Sequence, residues 1–152
     1  MTAWRIVKKR HAESAFDGEG ARRYGGRWNS PGTAVVYACE SRALCLLEVL
    51  AGLRTVNPLD AYVLIPITFD ESSILSLEVN DLPAEWRRYP PHASTQQAGD
   101  DWARDKRSVM LRVPSVIVPQ EFNYLLDPAH PDFRHIDIGR PQELSIDVRL
   151  VR

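Results

Sequence analysis

The sequence predicts an α+β fold in a single domain spanning residues 1–152, with many short strands around a few helices. Three observations predict it. Apolar, β-branched runs of strand length recur at residues 3–8, 34–39, 61–69 and 108–119. Two segments, and only two, carry helical signals. No repeat, low-complexity tract or linker divides the 152 residues, a length that suits one buried core.

The elements follow in chain order. Residues 3–8, AWRIVK, read as a short strand carrying Trp4, Ile6 and Val7. Residues 10–34 are glycine-rich and lack periodicity, and an irregular connection of that length tends to be functional. Inside it, GGRWNSPG (residues 25–32) sets a cation and a tryptophan on a turn, which neither a solubilising loop nor a core segment requires. AVVYAC (34–39) has the content of a buried strand. Ser41 is an N-cap for RALCLLEVLAGLR (42–54), a helix apolar on most faces and therefore expected to be largely buried.

AYVLIPITF (61–69) is strand-like, with Pro66 marking an edge, bulge or break. Residues 78–95 read as loop. Ser94 or Thr95 caps a second helix through QQAGDDWARDKR (96–107), anchored by Trp102 and weakened by Gly99. SVMLRVPSVIVP (108–119) is one or two buried strands interrupted at Pro114. In ELSIDVRLVR (143–152), Leu144, Ile146, Val148 and Leu150 alternate with polar residues as in a half-buried strand.

A net charge of −1 supplies no global attraction to nucleic acid or anionic lipid, and no helix-turn-helix pattern is present, so direct nucleic-acid binding is not expected. The cluster Arg104-Lys106-Arg107 reads as solvated surface. No run of about eighteen apolar residues exists to span a membrane. The first residues do not resemble a signal peptide, and a cytoplasmic location is expected. Cys39 and Cys45 are too few for a disulfide framework and are expected as buried, reduced thiols. The four histidines form no helical pair at metal-ligand spacing, so no metal site is expected. The glycines at 18, 20, 25 and 26 do not fit a dinucleotide fingerprint, and no helix clearly begins among them.

Glu48 is the most informative residue. It lies in mid-helix on a face shared with Leu44, Cys45, Ala51 and Gly52. A carboxylate on so apolar a surface needs a partner or a ligand. Small residues at 51 and 52 leave room for a cleft, and Tyr37 on the preceding strand is placed to border it. Ser115 and Asn123 are isolated polar residues among apolar neighbours. Taken singly, each also fits a structural role: an ion pair with an arginine or a snorkelling surface position for Glu48, a carbonyl bond for Ser115, a turn or strand end for Asn123. Together they point to a site.

GEGARRYGGRWNSPGTAVVYACESRALCLLEVL, followed by WARDKRSVMLRVPSVIVPQEFNYLLDPAHP, resembles the RES domain family, the toxins of bacterial type II toxin–antitoxin modules. The likeness covers almost the whole chain. It implies an ADP-ribosyltransferase-like fold, NAD⁺ as substrate rather than cofactor, and degradation by hydrolysis or by phosphorolysis with inorganic phosphate. Some members instead transfer ADP-ribose to a protein. It also implies an Xre-type antitoxin that covers the active site in a hetero-oligomer. Carried over by motif, Arg27 is the arginine of GGRWN and Arg5 that of the first strand. Tyr37, Glu48, Ser115 and Asn123 match the tyrosine, glutamate, serine and asparagine of their motifs.

The implied chemistry suits these side chains. A guanidinium binds pyrophosphate bidentately, which suits Arg27, with Arg5 as a second cation. Glu48 would stabilise the positive charge that develops on ribose as nicotinamide leaves. Tyr37 is expected to stack on nicotinamide or ribose and Ser115 to orient the nicotinamide end, with Asn123 in support.

Overall fold

The computed structural model describes residues 1–52 and 61–151. Its centre is one sheet in the order β4-β5-β6-β2-β1-β3-β7, with β8 also pairing with β3. The strands are β1 (Thr2–Lys8), β2 (Val36–Cys39), β3 (Tyr62–Thr68), β4 (Ile74–Ser76), β5 (Met110–Pro114), β6 (Phe122–Leu126), β7 (Asp137–Ile138) and β8 (Gln142–Leu144). Three helices accompany them: α1 (Glu19–Tyr24), α2 (Arg42–Gly52) and α3 (Ala93–Asp105). The expected α+β class is the observed one.

Alternation along the strands divides the apolar residues between two faces. Ala3, Ala38, Ile67, Tyr124 and Leu126 build a core on one side. Leu111, Val113 and Leu125 meet Trp28, Trp86 and Trp102 on the other, under α3. Farther along that second face α2 seats Leu44 and Cys45 against Ile6, Cys39 and Leu64.

One feature of the ladder positions the cavity. β1 pairs with β3 over seven residues, but with β2 only at Trp4–Cys39. Beyond that pair the two central strands part. The Arg5 side chain crosses the split, its Nη1 donating to the Tyr37 carbonyl at 2.7 Å and its Nε to the Ala15 carbonyl at 2.8 Å. A buried carbonyl left without its ladder partner needs another donor, and Arg5 supplies one.

Several expectations require correction. Residues 10–34 are not without a helix: Gly18, at φ 73°, turns the chain into α1, and Asp17 Oδ1 accepts the Glu19 amide at 2.8 Å. Ser41 does cap α2, its Oγ accepting the Leu44 amide at 3.0 Å, yet within α2 only Leu44 and Cys45 are buried and Leu47 is 43% exposed. The helix lies on the sheet by one stripe, with no layer above it among the described residues. The final two residues of the helix expected over 42–54 lie outside the described residues.

Pro66 neither breaks nor bulges β3. It falls on the outer side of the sheet, between the stretch paired with β8 (Tyr62–Leu64) and the stretch paired with β7 (Ile67–Thr68), where its carbonyl accepts the Gly139 amide at 2.8 Å. α3 begins earlier than expected, with His92 Nδ1 accepting the Ser94 amide at 3.1 Å. β5 stops at Pro114, and β6, unforeseen, supplies the next strand. The half-buried strand expected over 143–152 is realised only at its start. Asp147 accepts the Arg149 amide and turns the chain, leaving Val148 72% exposed.

Candidate active site

A cavity of about 1020 Å³ opens at the split between β1 and β2. Arg5, Arg27, Tyr37, Glu48 and Asn123 all line it, so five of the six residues singled out by sequence share one hollow. The sixth, Ser115, has no exposed surface and lies directly behind Glu48.

Glu48 is fixed by two neutral donors from different elements. Asn123 Nδ2 on β6 donates to its Oε1 at 2.6 Å, and Ser115 Oγ, just past β5, donates to the same oxygen at 2.8 Å. The local chemistry explains why each donor points there. Pro114 ends β5, and the chain then turns with Ser115 Oγ accepting the amides of Ile117 and Val118 at 3.1 and 3.2 Å. With its lone pairs so engaged, the hydroxyl has its single proton left to give, and Glu48 takes it. Ser115 thus positions the carboxylate; in this conformation it has no surface with which to touch a ligand, contrary to the direct contact expected for it. Ala51 and Gly52, expected beside the cleft, are exposed and do not line it.

The opposite wall is the GGRWN turn, which is pinned at nearly every residue. Trp28 is buried with Trp86 and Trp102. Asn29 is fully buried, its amide donating to the carbonyls of Ala21 and Thr33 at 2.9 and 3.1 Å. α3 grips the turn from outside. Gln96 Nε2 reaches the Gly26 carbonyl at 3.0 Å, and Asp100 accepts both the amide and the hydroxyl of Ser30. Gly99 is the contact point, since a Cβ there would lie 1.7 Å from the Trp28 carbonyl oxygen. The glycine that weakens the helix in sequence is what lets the helix touch the turn.

Tyr37 belongs to this wall by its hydroxyl, which donates to Asn29 Oδ1 at 2.6 Å and accepts the Trp28 amide at 3.1 Å. Gly26 must be glycine because a Cβ would sit 2.7 Å from that oxygen. Burial pushes the Tyr37 phenol well above its ordinary range. Only its ring remains for a ligand.

Arg27 is the side chain that this clamp presents. Its Nη1 donates to the carbonyls of Trp86 and Arg88 at 3.0 and 2.7 Å, leaving its other donors uncommitted among the described residues. Burial lowers its pKa, an effect opposed by the charge of Glu48. Burial likewise lowers that of Arg5. Neither arginine forms an ion pair with Glu48. Around the cavity stand five Lys or Arg side chains against three Asp or Glu, an excess of positive charge that suits a bound anion.

The stretch NYLLDPAHP contributes framework besides Asn123. Asp127 is buried, bonds the Lys106 ammonium at 2.7 Å and accepts the Ala129 amide, fixing the end of α3 where Lys106 has φ 51°. Sequence reasoning missed Asn29, Gln96 and Asp100 altogether. Gly99, noted only as a flaw in a helix, was the one signal of that contact.

The sequence pattern of the RES domain family matches residues 2–147. The chain is 37% identical over 151 residues to a protein of Yersinia enterocolitica named Toxin Res, covering 99% of each. It is 39% identical to a Sphingobium protein named Prs ADP-ribosylating toxin, over 98% of this chain and 96% of that one. Its fold is similar to a chain in the crystal structure of the M. tuberculosis MbcT–MbcA toxin–antitoxin complex. There the TM-score is 0.78 at 20% identity, over 95% of this chain and 84% of the other. A match over almost every residue, together with relatives above 30% identity at full length, is decisive: this chain belongs to the RES domain family.

Proposed function

We propose that the protein is the toxin of a toxin–antitoxin module and that it cleaves the nicotinamide–ribose bond of NAD⁺. The observation that carries this reading is that Glu48 and Arg27 face one cavity without pairing to each other. The carboxylate is held by a hydroxyl and an amide, the guanidinium by two carbonyls. Charges held by neutral dipoles keep their field for a ligand.

In the reaction, the C1″–N bond breaks with its electron pair leaving on nicotinamide, which neutralises the pyridinium. Positive charge develops on the ribose, and Glu48 stabilises it. Arg27 binds the pyrophosphate, whose doubly negative charge matches the cationic excess of the cavity. Tyr37 offers its ring to the nicotinamide-side nucleoside. Water or inorganic phosphate adds to C1″ and releases a proton, giving ADP-ribose or ADP-ribose 1″-phosphate. A cavity of about 1020 Å³ is ample for such a ligand.

Incubation of the purified protein with NAD⁺, with and without phosphate, tests this. Stoichiometric nicotinamide with either product is the expected result, and NAD⁺ intact under every condition would refute it. One second reading has specific support, the ADP-ribosylating name of the Sphingobium relative. Transfer to a protein target predicts a discrete labelled band in a cell lysate given radiolabelled NAD⁺. The partner we propose is an Xre-type antitoxin that occupies the same cavity. Co-expression with a neighbouring helix-turn-helix protein should restore growth and yield a complex in which NAD⁺ no longer binds.

A further inference from the structure

Cys39 and Cys45 have no part in that chemistry, yet both line the cavity beside Glu48. Both are free and buried. Their positions can be triangulated from the backbone. Cys39 ends β2 and is the register partner of Trp4 on β1 and of Asn123 on β6. Cys45, in the first turns of α2, directs its Sγ to the Trp4 carbonyl at 3.4 Å, beside Cys39. The two side chains pack within one apolar cluster.

This pair is joined to the carboxylate by two short routes. Glu48 lies three residues beyond Cys45, on the same face of α2. Cys39 lies across the ladder from Asn123, whose amide holds Glu48 Oε1, and register partners project from the same face of a sheet. Asn123 Oδ1 is buried with no hydrogen-bond partner among the described residues. The ligand-facing carboxylate and its anchor therefore rest on a reduced dithiol that a small oxidant can reach through the cavity.

We propose that Cys39 and Cys45 form a peroxide-sensitive dithiol whose disulfide disarms Glu48. The neighbouring Cys39 thiol holds the Cys45 thiol below its ordinary pKa, with the Arg5 guanidinium acting in the same direction, while Cys39 is pushed up. Cys45 is accordingly the first nucleophile. Its thiolate attacks the O–O bond of hydrogen peroxide, and the departing hydroxide takes the thiol proton and leaves as water. The Cys39 sulfur then attacks the Cys45 sulfenic acid, expelling a second water with the Cys39 proton. Two thiols and one peroxide become one disulfide and two waters, the sulfurs giving two electrons to the peroxide.

An S–S bond of about 2.05 Å replaces a non-bonded sulfur contact. Closing that distance draws the first turns of α2 toward β2 and moves Glu48 relative to Ser115 and Asn123, which hold it at 2.8 and 2.6 Å. A misplacement of about 1 Å lowers a rate about a hundredfold.

The loss of activity rests on the NAD⁺-cleaving reading; the cross-link and the movement of α2 do not. The test treats the purified reduced chain with hydrogen peroxide and reads three quantities. Tryptic cleavage after Arg42 separates the cysteines into residues 28–42 and 43–54, so a disulfide appears as those two peptides joined. Amide hydrogen exchange reports α2, and nicotinamide release reports the site. Joined peptides, altered exchange in α2 and a hundredfold fall in release, all reversed by dithiothreitol and absent in Cys45→Ala, are expected. Absence of the joined peptides, or joined peptides with unchanged exchange and release, would overturn the proposal. A reduced chain that releases no nicotinamide would sink the NAD⁺-cleaving reading alone, leaving cross-link and exchange to decide this one. If Cys45→Ala does not fold, reversal of the wild-type chain by dithiothreitol serves as the control.

Discussion

Charged side chains on the outer surface and in the cavity are partnered by opposite rules. Outside, charge meets charge: Lys9 with Glu143 at 2.9 Å, Arg104 with Asp101 at 2.9 Å, Arg149 with Asp147 at 2.8 Å. Inside, Arg5 meets the carbonyls of Ala15 and Tyr37, Arg27 those of Trp86 and Arg88, and Glu48 a hydroxyl and an amide. Exposed pairs are screened by water and decide little. Groups in the cavity are oriented by dipoles that do not cancel their charge, so the free protein stores an electrostatic field that a ligand of the right polarity completes. The difference separates ornament from site more sharply than residue type does.

The strongest way to break that contrast is Glu48→Gln. The amide oxygen can still accept from Ser115 and Asn123, so the wall stands while its charge disappears. Nicotinamide release should fall about 10²- to 10³-fold, with unfolding free energy within about 1 kcal/mol of the parent. If Glu48 were instead the counter-ion of a buried arginine, the substitution would cost about 3–5 kcal/mol in stability. Denaturant melts beside a nicotinamide assay distinguish the two.

Gly99→Ala strikes the support rather than the charge. The new methyl would lie 1.7 Å from the Trp28 carbonyl oxygen, and backbone on both sides resists it. α3 must back away from the GGRWN turn, and strain of this kind costs about 1–3 kcal/mol. A lowered denaturation midpoint, together with weaker NAD⁺ binding, is expected. An exposed helical Gly→Ala would stabilise instead, by about 1 kcal/mol, so the sign alone decides.

That glycine shows what a sequence can and cannot disclose. Periodicity and capping exposed β1, β2, α2 and β3, because their signals are local: Ser41 before the apolar run, or Val and Ile in alternation. β6 escaped because Asn123, a residue that faces the site, broke its apolar pattern. The C-terminal alternation misled because one side-chain acceptor, Asp147, outweighed it at an edge with nothing to cover Val148. Within the site, the isolated polar residues Glu48, Ser115 and Asn123 were legible by their incongruity. Their division of labour was not. Nothing local tells that Ser115 is buried behind Glu48 or that Arg5 stitches a split ladder, since both depend on which strands become neighbours.

Arg27→Leu sharpens the comparison on the other wall. The turn remains clamped through Trp28, Asn29 and Ser30, so stability should change little while the cation is lost. Charge-assisted hydrogen bonds contribute about 1.5–3 kcal/mol each, hence KM for NAD⁺ should rise about 10- to 100-fold, with kcat changing less. A large fall in kcat at unchanged KM would move Arg27 from ligand binding to the chemical step.

The smallest effect on catalysis belongs to Tyr37→Phe, which leaves the ring in the cavity wall and removes only the hydroxyl. Asn29 Oδ1 and the Trp28 amide both lose a partner, a change of about 1–3 kcal/mol. The pH dependence identifies the cause. Burial raises the folded-state pKa of the phenol above its ordinary value of 10.0, so above that pH the unfolded chain loses this proton while the folded chain keeps it. The stability it lends is complete below pH 10 and drains away as the pH climbs toward the folded value. Stability of the parent should therefore decline above that pH more steeply than that of Tyr37→Phe, measured by urea titration at successive pH values. Parallel curves would mean that the hydroxyl is not the buried hinge pin of the GGRWN turn, and the wall that presents Arg27 would need another anchor.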